Sequence, residues 1–404
     1  MERKMPENKS KVMSYIEKLV VEIGPRLIGS PANQAAADYI RDTFLTLGLQ
    51  VEEQPYPCTA WEVHSAKFEA DGISLPVEAN VFSPACDARG ELLALSTIPE
   101  LETAEIEGKI ILFYGELAST QISPKSWFLR GPDDDNIFNL LMKGKPAALL
   151  APPCNSTDYE QVTEDWDLPI PAATLPRDVV LDLLRKPPRS VHLKLDCGNT
   201  PATARNIVAR KPSPSPVKVV LCAHFDTFHN TPGALDNGAS AGSLLALAED
   251  LASVDLPFGL EFIAFNGEEA LPMGDDEYLR RGEADLGNIL LVINMDDMGA
   301  WAGSNSLALY SASNPLYDFV DAIQRQYPGV VRVDPWPESN HSTFSMRGVP
   351  SLAFSSVGIR HLAHTPADSI EQVSPAKVSE VIAMVEEIVK GLAGKPLGWS
   401  RPMG

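Results

Sequence analysis

The chain reads as an α/β protein, a doubly wound and mostly parallel sheet into which a β-rich domain is inserted. Three observations predict this. From about residue 217 to the end, short apolar, β-branched runs alternate with segments of helical period. Those runs are nearly continuous in apolar residues, as strands covered on both faces are. Between about residues 63 and 198 the text changes to short strand-like runs separated by turns.

Taken in order, Lys11 to Leu47 reads helix, loop, helix, with the break at Gly24-Pro25-Arg26-Leu27-Ile28-Gly29-Ser30-Pro31 and the second helix from Ala35 to Leu47, ended by Gly48. Val51 to Glu53 and Ala60 to Val63 are extended. Residues 1–62 and 199–404 then form one discontinuous catalytic domain, and 63–198 an insert with a binding or shaping role. In the insert, Leu92 to Leu95, Lys109 to Tyr114 and Ala147 to Ala151 are strands, and Asp133-Asp134-Asp135 is a solvated turn. After the Lys211 to Pro216 linker come strands at Val217 to Ala223, Leu260 to Phe265, Ile289 to Asn294, Leu307 to Tyr310 and Pro350 to Phe354. The last helix, Pro375 to Leu392, puts Val378, Ile382, Val385, Val389 and Leu392 on one face.

The 404 residues suffice for two domains, and the formal net charge of −21 argues against nucleic acid or an anionic membrane surface as partner, since both would be repelled. No apolar run reaches the roughly 18 residues of a membrane span, and MERKMPENKSK has no apolar core of signal-peptide type. Five cysteines, widely spaced and without a CxxC pair, suit a reducing compartment and no thiolate metal site. A cytoplasmic protein is expected. Nothing in the sequence speaks to its oligomeric state.

The chemistry gathers where strands end. His224 closes one strand, Asn266-Gly267-Glu268-Glu269 follows the next, and Asn294-Met295-Asp296-Asp297 follows a third. Asp236, twelve residues after His224, stands directly before an apolar-periodic segment (Leu244, Leu245, Ala248, Leu251), and the loop His361 to Asp368 adds His364. Singly, His224 is an ordinary strand-end histidine bonded to Asp226 and Asp236 an ordinary helix cap. Together they are hard to explain by packing, because charges placed where parallel strands converge lose solvation unless something compensates them. Metal is the economical compensation. Two divalent cations and one hydroxide would balance Asp236, Glu269 and Asp296. Ions about 3.5–4 Å apart need one ligand with two usable oxygens, for which Asp236 is the candidate.

In order along the chain, His224-Phe225-Asp226, Asp236-Asn237, Glu268-Glu269, Asn294-Met295-Asp296 and His364-Thr365 resemble the motifs of the dinuclear zinc exopeptidases that include leucyl aminopeptidases and glutamate carboxypeptidases. Gly24-Pro25-Arg26 through Gly29-Ser30 resembles that family's N-terminal signature, so the likeness covers about residues 11–62 and 199–392. It implies a zinc exopeptidase-like fold and two zinc ions, one held by His224 and Asp296, the other by Glu269 and His364, with Asp236 bridging. It further implies that Glu268 is the general base, that Asp226 orients His224 through the second ring nitrogen, and that Asp368 does likewise for the last loop. In the insert, Ile106 to Leu112 and Lys145 to Leu150 are similar to a protease-associated domain.

Three departures stand out. Asp236-Asn237-Gly238-Ala239-Ser240 replaces the usual Asp-Asn-Ala-Ser-Gly, and Asp297 stands where that family tends to have Met. Ser339-Asn340-His341-Ser342-Thr343-Phe344 is similar to an Asp-His-x-x-Phe element of the cleft wall with Asn340 in place of Asp, which makes His341 a substrate contact or, equally, a structural loop histidine. The expected function is a zinc-dependent aminopeptidase that hydrolyses N-terminal bonds of peptide or aminoacyl substrates through a metal-activated water and Glu268. A carboxypeptidase, dipeptidase or amidohydrolase could use the same site. A glutaminyl-cyclase-like acyltransferase would not need His224, and an inactive binding relative would have lost ligands. A carboxylate in a Leu271 to Glu283 loop would recognise the substrate's α-ammonium, or, equally, that loop is merely solvated.

Overall fold

The computed structural model describes residues 7–126, 130–154 and 160–402. The first six residues of the charged N-terminal stretch lie outside these. The chain forms two compact units, 1–57 with 203–404, and 58–202; 63–198 was the insert read from the sequence. Both crossing points fall inside long strands, Gln50–Ala70 and Val191–Lys211. The first of these absorbs the two extended stretches read separately on either side of Pro55 and Pro57.

In the larger unit, helices α1 (Glu7–Glu17) and α2 (Pro31–Thr46) precede strand β1 (Gln50–Ala70), and β2 (Val191–Lys211) leads to β3 (Lys218–His224). Then come α3 (Ala239–Ala252), β4 (Gly259–Phe265), α4 (Met273–Gly282), β5 (Ile289–Met295), β6 (Ser304–Tyr310), α5 (Asn314–Gln324), β7 (Val330–Arg332), α6 (His341–Ser345), β8 (Ser351–Val357) and α7 (Pro375–Gly391). The sheet order is β7-β6-β8-β5-β3-β4-β2-β1. The centre is parallel: β3 pairs with β4 and β5, and β5 with β8, all in parallel. Antiparallel pairs, β4 with β2 and β6 with β8, flank it. This is the α/β, doubly wound, mostly parallel arrangement that the alternating text predicts.

β3, β4 and β5 are buried at every position except the first of β3. That explains their unbroken apolar runs, since helices cover both faces. One face packs on Ile16, Phe44, Leu244, Leu247, Val385 and Val389 of α1, α2, α3 and α7. The other packs Val220, Ile263 and Val292 on Tyr278, Leu279 and Phe344 from α4 and α6. Two elements differ from the sequence reading. The Leu271 to Glu283 stretch is a helix, α4, with Tyr278 and Leu279 as its inner face. β7 is a three-residue strand paired with β6, too short to leave a periodic signal. Among the described residues, no helix is long and apolar enough to cross a membrane.

The smaller unit is less purely β than the sequence suggests. Leu92–Leu95, Ile110–Phe113, Ala148–Ala151 and Ala172–Thr174 pair in parallel, with Glu78–Ala79 antiparallel at one edge. Helices Ile98–Thr103, Asp134–Gly144 and Arg177–Arg185 accompany them. Asp134 is no solvated turn residue: it is buried, and its carboxylate accepts the backbone N–H groups of Ser123 and Gly131 at 2.9 and 2.8 Å.

Candidate metal centre

The strand-end side chains converge. His224, the last residue of β3, is 1% exposed, and its Nε2 lies 3.2 Å from Asp236 Oδ1 and 3.3 Å from Asp296 Oδ1. His364 Nε2 lies 3.3 Å from Asp236 Oδ2 and 3.0 Å from Glu269 Oε2. Two groups result, His224 with Asp236 and Asp296, and His364 with Asp236 and Glu269, and each uses a different oxygen of Asp236. Glu268 Oε2 stands 3.9 Å from His224 Nε2.

These residues fit divalent cations by their geometry and their charge. A tetrahedral ion with bonds of about 2.0–2.1 Å holds its ligand atoms about 3.3 Å apart, the spacing found between the imidazole and carboxylate atoms. Glu269 Oε1 is buried without a hydrogen-bond partner, a costly state for a carboxylate oxygen that a cation would relieve. Burial pushes Glu268 well above the usual carboxylate range, with Asp296 and Glu269 adding to it against His224. Burial and Asp236 push Glu269 up to about 7. Burial also opposes charge on Asp236, yet the two imidazoles overcome it and hold that carboxyl well below its ordinary value. They are themselves pushed well up against burial, His224 chiefly by Asp296 and Glu268, His364 chiefly by Glu269. A site of this kind is short of positive charge.

What surrounds the groups sets their positions. Asp226, fully buried, sits with Oδ1 3.6 Å from His224 Nδ1, while its backbone oxygen is 3.3 Å from the same nitrogen. Its carboxylate accepts the N–H groups of Glu268 at 3.3 Å and Glu269 at 3.2 Å. One aspartate therefore ties the β3 histidine to the glutamate loop after β4. Asp368 does not orient the last loop's histidine. Its carboxylate accepts the N–H groups of Leu235 at 2.7 Å and Asp236 at 3.0 Å and so fixes the shared aspartate. His364 has a left-handed backbone (φ 59°) and is stacked on Phe228, ring centroids 4.9 Å apart at 14°.

The N-terminal signature has a physical role that its sequence did not disclose. Arg26 is fully buried, and its guanidinium donates to the carbonyls of Phe225, Leu19, Gly24, Pro232 and Gly233 at 2.7–3.0 Å. It thereby shapes the loop between His224 and Asp236. Burial lowers its pKa to about 10, with Asp368, Asp226 and Asp236 resisting. Asn33 and Asn266 exchange amide hydrogen bonds of 2.8 and 3.0 Å, joining α2 to the start of the glutamate loop. An Arg directly after Gly24-Pro25 was the available signal; nothing marked Asn33.

Two of the three departures are also explained. A Cβ on Gly238 would meet Val20 Cγ2 at 2.4 Å and the Gly233 carbonyl at 2.7 Å, so α1's continuation packs directly on the Asp236 turn and requires glycine there. The acid missing at Asn340 is supplied from α4: Asp275, 1% exposed, accepts from Asn340 Nδ2 at 2.8 Å and from the Thr343 hydroxyl. That withdraws Asp275 from substrate recognition, and Glu277 is likewise committed to Arg280 and Arg281. His341 is fully buried, with Nε2 2.8 Å from the Trp336 carbonyl and its ring against Tyr310 and Trp336. Burial lowers its pKa to about 4. The structure thus places His341 inside the wall as a packing residue, where burial outweighs the Trp336 carbonyl and Asp296, both of which favour an imidazolium.

A parallel α/β sheet with two histidine–carboxylate groups sharing one aspartate at its strand ends defines the zinc exopeptidase fold. Residues 206–389, a little under half of the chain, match the model of peptidase family M28. Aminopeptidase YwaD of Bacillus subtilis (strain 168) is 25% identical over 413 residues, covering 96% of this chain and 87% of that protein. Among solved structures, a zinc aminopeptidase from Bacillus subtilis aligns with TM-score 0.75 and 22% identity over 97% of both chains. A peptidase M28 precursor from Shewanella amazonensis SB2B aligns with TM-score 0.78 and 19% identity over 98% of this chain and 97% of that one.

Proposed function

We propose that this protein is a zinc-dependent aminopeptidase with two ions in its site. The observation that carries the reading is the division of Asp236, whose two oxygens face two different histidines. His224 and Asp296 would hold one ion, Glu269 and His364 the other, and Asp236 both. Aminopeptidase YwaD, similar over nearly the whole chain, supports the choice among exopeptidases. When bound, such ions polarise a carbonyl and lower the pKa of water toward neutrality.

The chain's own residues do the rest. Glu268, with Oε2 3.9 Å from His224 Nε2, takes a proton from the attacking water at its carboxylate and delivers it to the leaving amine. Asp226 keeps Glu268 and Glu269 apart in role by fixing both backbones while steadying His224. Asp368 and Arg26 hold the shared aspartate and its loop, so that the reacting groups need little reorganisation.

The unit 58–202 we read as a protease-associated-like domain, on the likeness of Ile106 to Leu112 and Lys145 to Leu150. The compartment we propose is the cytoplasm, supported by five cysteines that are all free thiols. The experiment is kcat/KM for one short peptide with its α-amine free and acetylated. Preference for the free amine is expected; preference for the acetylated form would move the protein to the deacylases or carboxypeptidases.

A further inference from the structure

The carboxylates around the metal centre are nearly all committed. Asp226 accepts from the N–H groups of Glu268 and Glu269, Asp368 from those of Leu235 and Asp236, and Asp275 from Asn340 and Thr343. Asp236, Asp296 and Glu269 belong to the two histidine–carboxylate groups. Glu268 is the proposed base. Asp297 is left over.

It belongs to neither group, its Oδ1 is covered without a hydrogen-bond partner, and the residue as a whole keeps partial exposure. Its backbone is left-handed (φ 56°), a conformation that costs a non-glycine residue energy and that here carries the chain out of the β5 strand period directly after Asp296. Its carboxyl lies within electrostatic range of Asp236, Asp296, Asp368 and His364. An unpaired carboxylate among like charges is unfavourable without a cationic partner. In a substrate with a free N-terminus, one carbon separates the α-nitrogen from the scissile carbonyl. A group that reads this nitrogen must therefore lie close to the metal-binding carboxylates, and Asp297 follows Asp296 directly in the chain with its carboxyl in electrostatic range of Asp236 and Asp296.

We propose that Asp297 is a specificity-determining residue that pairs with an ammonium or guanidinium group of the substrate's N-terminal residue, at its α-nitrogen or on its side chain. The inference rests on the aminopeptidase reading. It also gives a reason for an acid at the position where the resembling family has an apolar methionine.

The test uses the full metal-loaded chain and the variants Asp297→Asn and Asp297→Met, with N-terminal leucine and N-terminal lysine peptides. Metal content is measured for each, together with inhibition by N-acetyl-leucinamide. The wild type alone decides the parent reading, through its free against acetylated peptides; preference for the acetylated form would remove that reading whatever the variants do. For Asp297, KM should rise about tenfold or more in both variants, with kcat changing less than KM. Metal content and inhibition by the acetylated amide should stay at the wild-type level. A rise shared by leucine and lysine peptides assigns the α-ammonium, and a rise confined to lysine assigns the side chain. Unchanged KM for both peptides, or loss of bound metal from both variants, would overturn the proposal.

Discussion

Replacing Asp275 by Asn should stabilise the protein at neutral and alkaline pH, although it removes a charge that accepts two hydrogen bonds. Asp275 is 1% exposed, and burial pushes its carboxyl up to about 7 from an ordinary value near 3.8, against the hydrogen bonds from Thr343 and Asn340. The raised native pKa sets the sign. Between the unfolded and folded values, the native protein holds a proton that the unfolded chain has released, so stability falls as pH rises through that window and the full penalty stands above about pH 7. A difference of about three pKa units corresponds to about 4 kcal/mol at most. Asparagine is nearly isosteric and cannot ionise; its oxygen can accept from Asn340 Nδ2, and its amide can donate to the Thr343 hydroxyl oxygen. Urea unfolding of both metal-loaded chains between about pH 5.5 and pH 8 should show their stability difference opening by about 2 kcal/mol in favour of Asp275→Asn. Parallel pH profiles, or a variant less stable at the upper end, would mean that Asp275 is ionised and held by its partners at a profit, and the reasoning would fail.

Glu268→Gln should retain metal and fold while kcat falls by at least about a hundredfold; full activity in that variant would remove the base assignment. By elemental analysis, Asp236→Ala should deplete both ion positions, whereas His224→Ala should deplete chiefly one, because only Asp236 faces both histidines. Gly238→Ala drives a methyl against Val20 and the Gly233 carbonyl and should cost about 1–3 kcal/mol in thermal or denaturant unfolding. Val20→Ala should recover part of that loss, and the absence of any recovery would locate the strain at Gly233 alone.

The parts of the site legible in the sequence are those with their own local signal. His224, Glu268, Glu269 and Asp296 each follow a short apolar run suited to a buried strand, and parallel strands deliver their ends to one side. Asp236 was legible from its place just before an apolar-periodic segment. What was not legible depends on contacts between residues 42 to 133 apart in the chain. The Asp226 carboxylate reaches forward to the backbone of Glu268 and Glu269, and Asp368 reaches back to Leu235 and Asp236, so their true partners are invisible to motif spacing. For the same reason the Leu271 to Glu283 stretch was read as a loop, either solvated or offering a carboxylate to the substrate. Its acidic text, Gly274-Asp275-Asp276-Glu277, hides the fact that Asp275 is sealed against α6 and Glu277 is held by two arginines.

Arg26 shows how far the scaffold extends beyond the strand ends. Its guanidinium satisfies carbonyls from both sides of the chain, Leu19 and Gly24 in the N-terminal segment and Phe225, Pro232 and Gly233 in the loop between two metal-competent residues. The Leu19 and Gly233 carbonyls also accept from the N–H groups of Gly24 and Gly238, but the buried Phe225 carbonyl would carry a desolvation cost without its guanidinium donor. A lysine could reach fewer of them and lacks the planar fork. The N-terminal helices are accordingly a structural part of the centre: Arg26 shapes the loop, Val20 packs on the turn at Gly238, and Asn33 pairs with Asn266 at the entrance to the glutamate loop.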